Sequence, residues 1–300
     1  MTTLLLDTDI GTDVDDALAL SFLLDKKWRK LIGIIVTNGP TKIRASIANI
    51  LLSLKEASHI PVFRGQSQST TQGCIPFVTG REGIGIEKQH QSFALKSILP
   101  LLISQPDNSI VYILIAPASS CSTLLDIPEV RKKIQLIVCM GGVLSGDPTM
   151  PTSEHNIAAD PIAFERICRL NIPMHIIPLN ITLRHKFSND AIARIAESHN
   201  SLSVRMSLWI QNWNTFTQSL TYADHWFKNK ILLHDPLTCL AAIRKSSFTW
   251  KSMKIAISRN GVLQEGKGSH VHVAVAMKKH TVQTLTSEIV SGIVTLTNMV

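Results

Sequence analysis

Cysteine is sparse in this 300-residue chain, and the five present, Cys74, Cys121, Cys139, Cys168 and Cys239, are odd in number and widely scattered. None forms a CxxC pair, so neither a disulfide framework nor a zinc site is indicated, and a reducing cytoplasm is the expected home. A basic segment leading into a long apolar one is missing at the N-terminus. The most apolar runs, such as Ser97–Ser104, are too short and interrupted to span a bilayer, so no targeting or membrane segment is expected. Clustered cations are missing as well, despite a formal net charge of +8. Short pairs such as Lys132-Lys133 and Lys278-Lys279 are those of a solvated surface; without a counterion-releasing patch, nucleic acid is not an expected partner. Repeats, low-complexity tracts and linkers are absent too, which leaves one domain over residues 1–300.

What is present is a large apolar fraction, 45% of residues, enough for a sizeable core. Apolar runs of strand length recur at Leu4–Leu6, Leu31–Val36, Pro61–Phe63, Ile110–Ile115, Leu136–Met140 and Met174–Leu179, separated by helix-length segments. Continuous apolar runs imply strands covered on both faces. The expected fold is therefore α/β: an open, mostly parallel, doubly wound (Rossmann-like) sheet flanked by helices. Helices are predicted over Lys42–Ala57, with Ile43, Ile47, Ile50, Leu51 and Leu54 on one face, and over Pro161–Arg169, Asn189–Ser198 and Ser203–Gln218. Aromatic residues make up only 5% of the chain, yet four Trp or Phe fall within Val204–Trp226, which marks a helical excursion near 203–230. A strand at Val271–Met277 and a closing helix from about Thr281 complete the pattern.

The least expected feature is "LLLDTDIGTDVDDALAL", residues 4–20, in which five aspartates follow an apolar strand. Asp7 and Asp9 project at the carboxyl end of that strand, where ligands bind in open parallel sheets. Gly11 permits a tight turn, and Asp15 and Asp16 fall in the first turn of the next helix. Helix capping and the helix dipole account for two of the five, at about 0.3–1 kcal/mol each. The others repel one another at short range, and a hard cation such as Ca²⁺ or Mg²⁺ relieves that repulsion through oxygen ligands. The spacing excludes an EF-hand, because Thr12 or Val14 stands where its turn glycine belongs and Leu18 or Leu20 where its glutamate belongs. "DTDIG" also resembles the DxDx(T/V) motif of haloacid dehalogenase-type, Mg²⁺-dependent phosphatases. That motif has no use for Asp15-Asp16, and no later GDxxxD motif follows.

Two further constellations lie downstream. "SEHNIAADP", Ser153–Pro161, follows the "VCMGG" stretch at Val138–Gly142, and a carboxylate and an amide two positions apart can grip vicinal hydroxyls. On its own, Asp160-Pro161 reads as a helix N-cap followed by proline at the first position. "LLHDPLTCLAA", Leu232–Ala242, starts a helix at Asp235-Pro236 with His234 just before it.

Taken together, these motifs resemble the inosine–uridine nucleoside hydrolase family. Its DxDPGxDD motif matches "DTDIGTDVDD", its MGG turn matches Met140–Gly142, its E-x-N motif matches "SEHNIAADP" and its HDP matches His234–Pro236, in family order along nearly the whole chain. The resemblance implies Ca²⁺-dependent hydrolysis of the N-glycosidic bond of ribonucleosides to ribose and free base, through an oxocarbenium-like transition state, by a homodimer or homotetramer. By matched position it implies Asp9, Asp16, Asp235 and the Ala118 carbonyl as metal ligands and Asp9 as general base. It further implies Asp15, Asn38, Glu154 and Asn156 as ribose ligands, His234 as the group that contacts and activates the leaving base, and Asp7 as a supporting residue. The aromatic set Trp209, Trp213, Phe216, His225 and Trp226 lies where family members contact the base.

The chain departs from the pattern in several places. Ile10 replaces proline, and "GTDV" lengthens the first loop by two residues, adding Asp13 as a cap, an extra charge or a supporting residue. Asn38 is a near match only, a further family Asn falls at Asp147-Pro148, and the family's His-Gly-EDGxG stretch is reduced to "TGREGIG", Thr79–Gly85. A non-catalytic nucleoside- or ribose-binding homologue is the reading of a different class that these departures leave open.

Overall fold

A computed structural model describes residues 3–25, 30–73, 83–86, 91–219, 228 and 230–295. Among the described residues, eleven strands form one sheet: β1 (Thr3–Thr8), β2 (Leu31–Val36), β3 (Val62–Arg64), β4 (Phe93–Ala94), β5 (Ile110–Ile115), β6 (Ile134–Met140), β7 (Val143–Leu144), β8 (Met174–Ile177), β9 (Phe248–Ile257), β10 (Val262–Glu265) and β11 (Ser269–Met277). Their order is β4-β3-β2-β1-β5-β6-β8-β11-β9-β10-β7. Every pairing from β4 through β11 is parallel, whereas β9 runs antiparallel to both β10 and β11. The chain winds outward from β1 through β2, β3 and β4, then resumes on the other side of β1 with β5. The order therefore reverses between β1 and β5, and the crevice outside their carboxyl ends is where a ligand is expected to bind.

The strands are apolar throughout because both faces are covered. Leu4 and Leu6 join one core cluster, and Leu5 between them joins the other; β5 divides the same way, with Val111, Ile113 and Ile115 on one face and Ile110, Tyr112 and Leu114 on the other. This period-two alternation sends Asp7 and Thr8, the last residues of β1, to opposite faces.

The helix at Thr41–Leu54 buries Ile47 and Leu51 as expected, but Ile43, in its first turn, stays 43% exposed. The apolar stripe meets the core only from Ile47 onward. Helices at Pro161–Cys168, Asn189–Glu197, Ser201–Ser219 and Thr281–Val294 fall where the sequence places them. Strands β9 and β10 do not follow from apolar runs, since β9 intersperses the exposed Thr249, Lys251, Ser252 and Lys254 among its buried positions. Their antiparallel ribbon carries the sheet beyond its parallel part. Among the described residues, Cys121, Cys139, Cys168 and Cys239 are buried free thiols, and no helix is long and apolar enough to cross a membrane.

Candidate functional site

The end of β1 divides its polar residues between two faces. Asp7 points to the Leu5 side, where Oδ1 accepts from Thr37 Oγ1 at 2.5 Å and Oδ2 from the Tyr112 hydroxyl at 2.7 Å. Burial pushes its pKa up to about 7 against the pull of these two hydrogen bonds. Thr8, on the other face, donates to Asp16 Oδ1 and accepts from the Ile10 N–H at 3.1 Å. Asp7 is thus part of a buried polar network beneath the loop, which Thr37 extends to Ser120.

Four carboxylates converge above it. Ligand oxygens of Asp13, Asp15, Asp16 and Asp235 lie within 4.8 Å of one another. Asp15 and Asp16 open the helix Asp15–Leu23, and Asp235 lies in the first turn of the helix His234–Ile243. The Asp235 N–H donates to Asp15 Oδ2 at 3.0 Å, which ties the two helix starts together. Burial first, and then the negative charge of the neighbouring carboxylates, holds the pKa values of Asp15, Asp16 and Asp235 well above the usual carboxylate range. A hard cation suits this donor set: all four ligands are oxygen, and a double positive charge removes the repulsion that the fold otherwise concentrates there.

Asp9 stands beside this group, outside the set of four. Its Oδ2 accepts from Thr12 Oγ1 at 3.0 Å and lies 3.9 Å from both Arg44 Nη2 and His155 Nε2. Burial opposes ionisation of Asp9, but His155 and then Arg44 outweigh it and leave the pKa lowered. Burial likewise opposes the protonated form of His155, yet Asp9 raises its pKa. Arg44 is 1% exposed. Its Nη1 donates to the Asp9 and Ile10 carbonyls, and its Nε to the Asn38 carbonyl at 2.5 Å. Neither Arg44 nor His155 follows as a site residue from the motifs. The only signal for Arg44 is a cation one turn into an otherwise apolar helix face.

Across the cavity, Glu154 is buried as the N-cap of the helix His155–Ala159. Its Oε1 accepts from the Asn156 N–H at 2.7 Å, and its Oε2 from the N–H groups of Gly142 and Ile157 at 2.8 and 3.0 Å. Burial raises its pKa and the three N–H groups oppose that rise. Gly142 closes the MGG turn at φ +79°, where an added Cβ would meet Leu263 at 2.6 Å. Asn156 Nδ2 donates to the Met140 carbonyl at 3.3 Å. His234 Nδ1 is 2.7 Å from Thr182 Oγ1, and burial lowers its pKa to about 4.

A cavity of about 480 Å³ brings these groups together. The five aspartates from Asp9 to Asp235, together with Glu154, His155, Asn156 and His234, line its polar part, and Leu179, Leu183, Trp213, Phe216 and Thr217 its other wall. Three positions expected at the site fall outside that lining. Asn38 occupies a turn at φ +70° with its carbonyl held by Arg44. The Ala118 carbonyl accepts the Ser122 N–H at 2.8 Å in the first turn of the helix Ser119–Leu125. Asp7 faces the opposite side of the sheet. Of the aromatic set, Trp209 is turned into the core at 1% exposure, while His225, Trp226 and the Thr79–Glu82 part of "TGREGIG" lie outside the described residues.

Comparison with known proteins places this architecture. Residues 4–289 match the family model described as inosine-uridine preferring nucleoside hydrolase. Uridine nucleosidase 1 of Arabidopsis thaliana is 23% identical over 276 residues, 86% of this chain and 79% of that protein. A plant nucleoside hydrolase superposes with a TM-score of 0.82 at 20% identity over 98% of this chain and 99% of its own. A purine-preferring ribonucleoside hydrolase from Gardnerella vaginalis does so with a TM-score of 0.80 at 23% identity, over 97% and 98%. The phosphatase-like "DTDIG" is therefore a local likeness, and the chain belongs to the inosine-uridine preferring nucleoside hydrolase family.

Proposed function

We propose that this protein hydrolyses the N-glycosidic bond of ribonucleosides with the help of a divalent cation, Ca²⁺, giving ribose and a free nucleobase for salvage. The observation that carries this reading is the juxtaposition, in one cavity, of converging carboxylates with an apolar wall bearing Trp213 and Phe216. Asp16 and Asp235, with Asp15 beside them, would hold the cation, which supplies Lewis acidity toward a water and toward a vicinal diol. Asp9, ionised by virtue of Arg44 and His155, faces the same cavity and accepts the proton of the attacking water as general base. The surrounding negative charge favours the positive sugar ring of an oxocarbenium-like transition state over the neutral substrate.

His234 serves the leaving base. Its pKa of about 4 keeps the ring neutral near pH 7. Nδ1 lies 2.7 Å from Thr182 Oγ1, and a neutral ring protonated on Nε2 would donate to a nucleobase nitrogen or oxygen. Asn156, on the cavity wall next to Glu154, has an amide oxygen free of its Met140 contact for a sugar hydroxyl. Relatives are named for uridine and for purines, so base preference rests on a substrate panel. Purified protein is incubated with uridine, cytidine, inosine, adenosine and guanosine, with Ca²⁺ or after chelation, and reducing sugar is measured. Release that chelation abolishes and Ca²⁺ restores is expected. Nucleoside binding without release in Ca²⁺ overturns catalysis in favour of a nucleoside-binding homologue.

A further inference from the structure

The imidazole on the cavity wall has a hydroxyl behind it. His234 lines the cavity, and its Nδ1 lies 2.7 Å from Thr182 Oγ1. Thr182 ends the one-turn helix Leu179–Thr182 and is 0% exposed. Leu179 and Leu183, on either side of it in sequence, reach the cavity wall, and Thr182 does not. Thr182 therefore meets the cavity only through the ring of His234.

Backbone hydrogen bonds hold the two residues in place. The chain just after Thr182 runs antiparallel to the chain just before His234: the Leu233 N–H donates to the His185 carbonyl at 3.0 Å and the Phe187 N–H to the Ile231 carbonyl at 2.8 Å, with a bridge between Lys186 and Leu232. At its other end the short helix is fastened to the MGG turn, where the Leu179 N–H donates to the Gly142 carbonyl at 2.8 Å.

The donors and acceptors give the contact a direction. A threonine hydroxyl carries one proton, and burying that proton without an acceptor is costly. Thr123 and Thr238 donate theirs to the carbonyl four residues back. Thr182 makes no such bond, and among the described residues the His234 ring nitrogen is the partner of its hydroxyl. If the hydroxyl donates, Nδ1 is the acceptor and a neutral ring carries its hydrogen on Nε2. The opposite direction leaves the hydroxyl proton buried with nothing to receive it.

We infer that Thr182 is a positioning residue for departure of the base: by donating to Nδ1 it fixes the His234 ring in the tautomer and orientation that present Nε2–H to an acceptor nitrogen or oxygen of the nucleobase. As the glycosidic bond breaks, its electron pair passes to the base, so a donor aimed there stabilises the transition state more than the substrate. The inference rests on the role given to His234 above. The chemistry it concerns is that of a nucleobase that needs a hydrogen bond to leave, in contrast to an aglycone that departs as a stable anion.

The test compares the full-length wild type, Thr182→Val, Thr182→Ser and His234→Ala at saturating Ca²⁺, with circular dichroism to verify each fold. Two substrates are used: the nucleoside turned over fastest in the panel, and para-nitrophenyl β-D-riboside, whose aglycone leaves as a stabilised anion. On the nucleoside, kcat is expected to fall about tenfold or more in Thr182→Val and in His234→Ala, with KM and the serine variant staying within about threefold of the wild type. On the nitrophenyl riboside all four are expected to agree within about threefold. Wild-type kcat on the nucleoside in folded Thr182→Val, an equal loss on both substrates, or a serine variant as poor as the valine one overturns the inference and leaves the role of His234 standing. A second measurement does not depend on the valine variant folding. In ¹⁵N-histidine spectra of the wild type, with His234→Ala to assign the resonances, a protonated Nε2 and a bare Nδ1 are expected, and the reverse overturns the inference. If His234→Ala loses nothing on the nucleoside, or the wild type turns over no nucleoside, the reading beneath fails and the inference with it.

Discussion

Replacing Glu154 by alanine separates two roles that its position in the E-x-N motif runs together. The carboxylate accepts three backbone N–H groups, from Gly142, Asn156 and Ile157. Two of them cap the helix His155–Ala159, and the third fastens that helix to the MGG turn at the end of β6. Loss of the cap costs about 1 kcal/mol. The Gly142 N–H, left without an acceptor at the edge of the core, adds about 1–3 kcal/mol. Water entering from the cavity recovers part of this, so a net loss of about 1–3 kcal/mol is expected, a sizeable share of the ~5–15 kcal/mol that separates folded from unfolded chains. In a chain of this size that lowers the thermal midpoint by roughly 2–5 °C.

Differential scanning calorimetry on the wild type, Glu154→Ala and Glu154→Gln checks the value. The glutamine variant should fall between the other two, since it keeps one acceptor oxygen but turns an NH₂ group toward backbone donors. If Glu154 acts on the sugar alone, alanine raises KM and leaves the thermal midpoint where it was; that outcome refutes the scaffolding argument. A lowered midpoint together with reduced kcat is expected, because Asn156 and His155 ride on the helix that Glu154 caps.

Cation addition should stabilise the chain: Ca²⁺ at about 100 times its Kd contributes about 2.7 kcal/mol, visible as an upward thermal shift that EGTA reverses, and no shift with Ca²⁺ or Mg²⁺ would count against the site. Gly142→Ala is expected to cost about 1–3 kcal/mol in urea unfolding, because the backbone is at φ +79° and Leu263 stands 2.6 Å from the added carbon; an unchanged midpoint would show that the turn relaxes freely. His175 is buried against Trp250, at 4.5 Å between ring centroids, and burial, then Lys245 and His272, lowers its pKa from 6.5 to about 4. The unfolded chain therefore takes up this proton first as pH falls, so stability drops between pH 6.5 and 4 by about 3 kcal/mol from this residue. His175→Phe should flatten that part of the stability–pH curve relative to the wild type, and parallel curves would contradict the attribution.

The parallel part of the fold was legible because its strands are buried on both faces and so read as unbroken apolar runs. Leu31–Val36 and Ile110–Ile115 are strands over the very residues of their runs. The ribbon of β9 and β10 was not, since a strand with lysine, threonine and serine interspersed among its apolar residues resembles a surface segment. The meeting of Asp15, Asp16 and Asp235 was legible for a different reason. Asp15 and Asp16 open one helix and Asp235 another, as their motifs indicate, but that Asp235 joins the group followed only from the family resemblance, which also cast Asp15 as a sugar ligand.

The local geometry of the loop is the part that spacing could not supply. Between β1 and its helix, six residues pass through one positive-φ turn at Gly11. Arg44, 35 residues beyond Asp9 in sequence, donates to the Asp9 and Ile10 carbonyls and lies 3.9 Å from Asp9 Oδ2. Burial raises the pKa of Asp9, and after His155 this distant cation, which no local motif includes, lowers it. Removing the guanidinium, as in Arg44→Gln, should therefore move the acidic limb of the kcat–pH profile to higher pH, because Asp9 then takes up its proton more readily. An acidic limb that stays where it is in the folded variant would show that Arg44 only braces the loop.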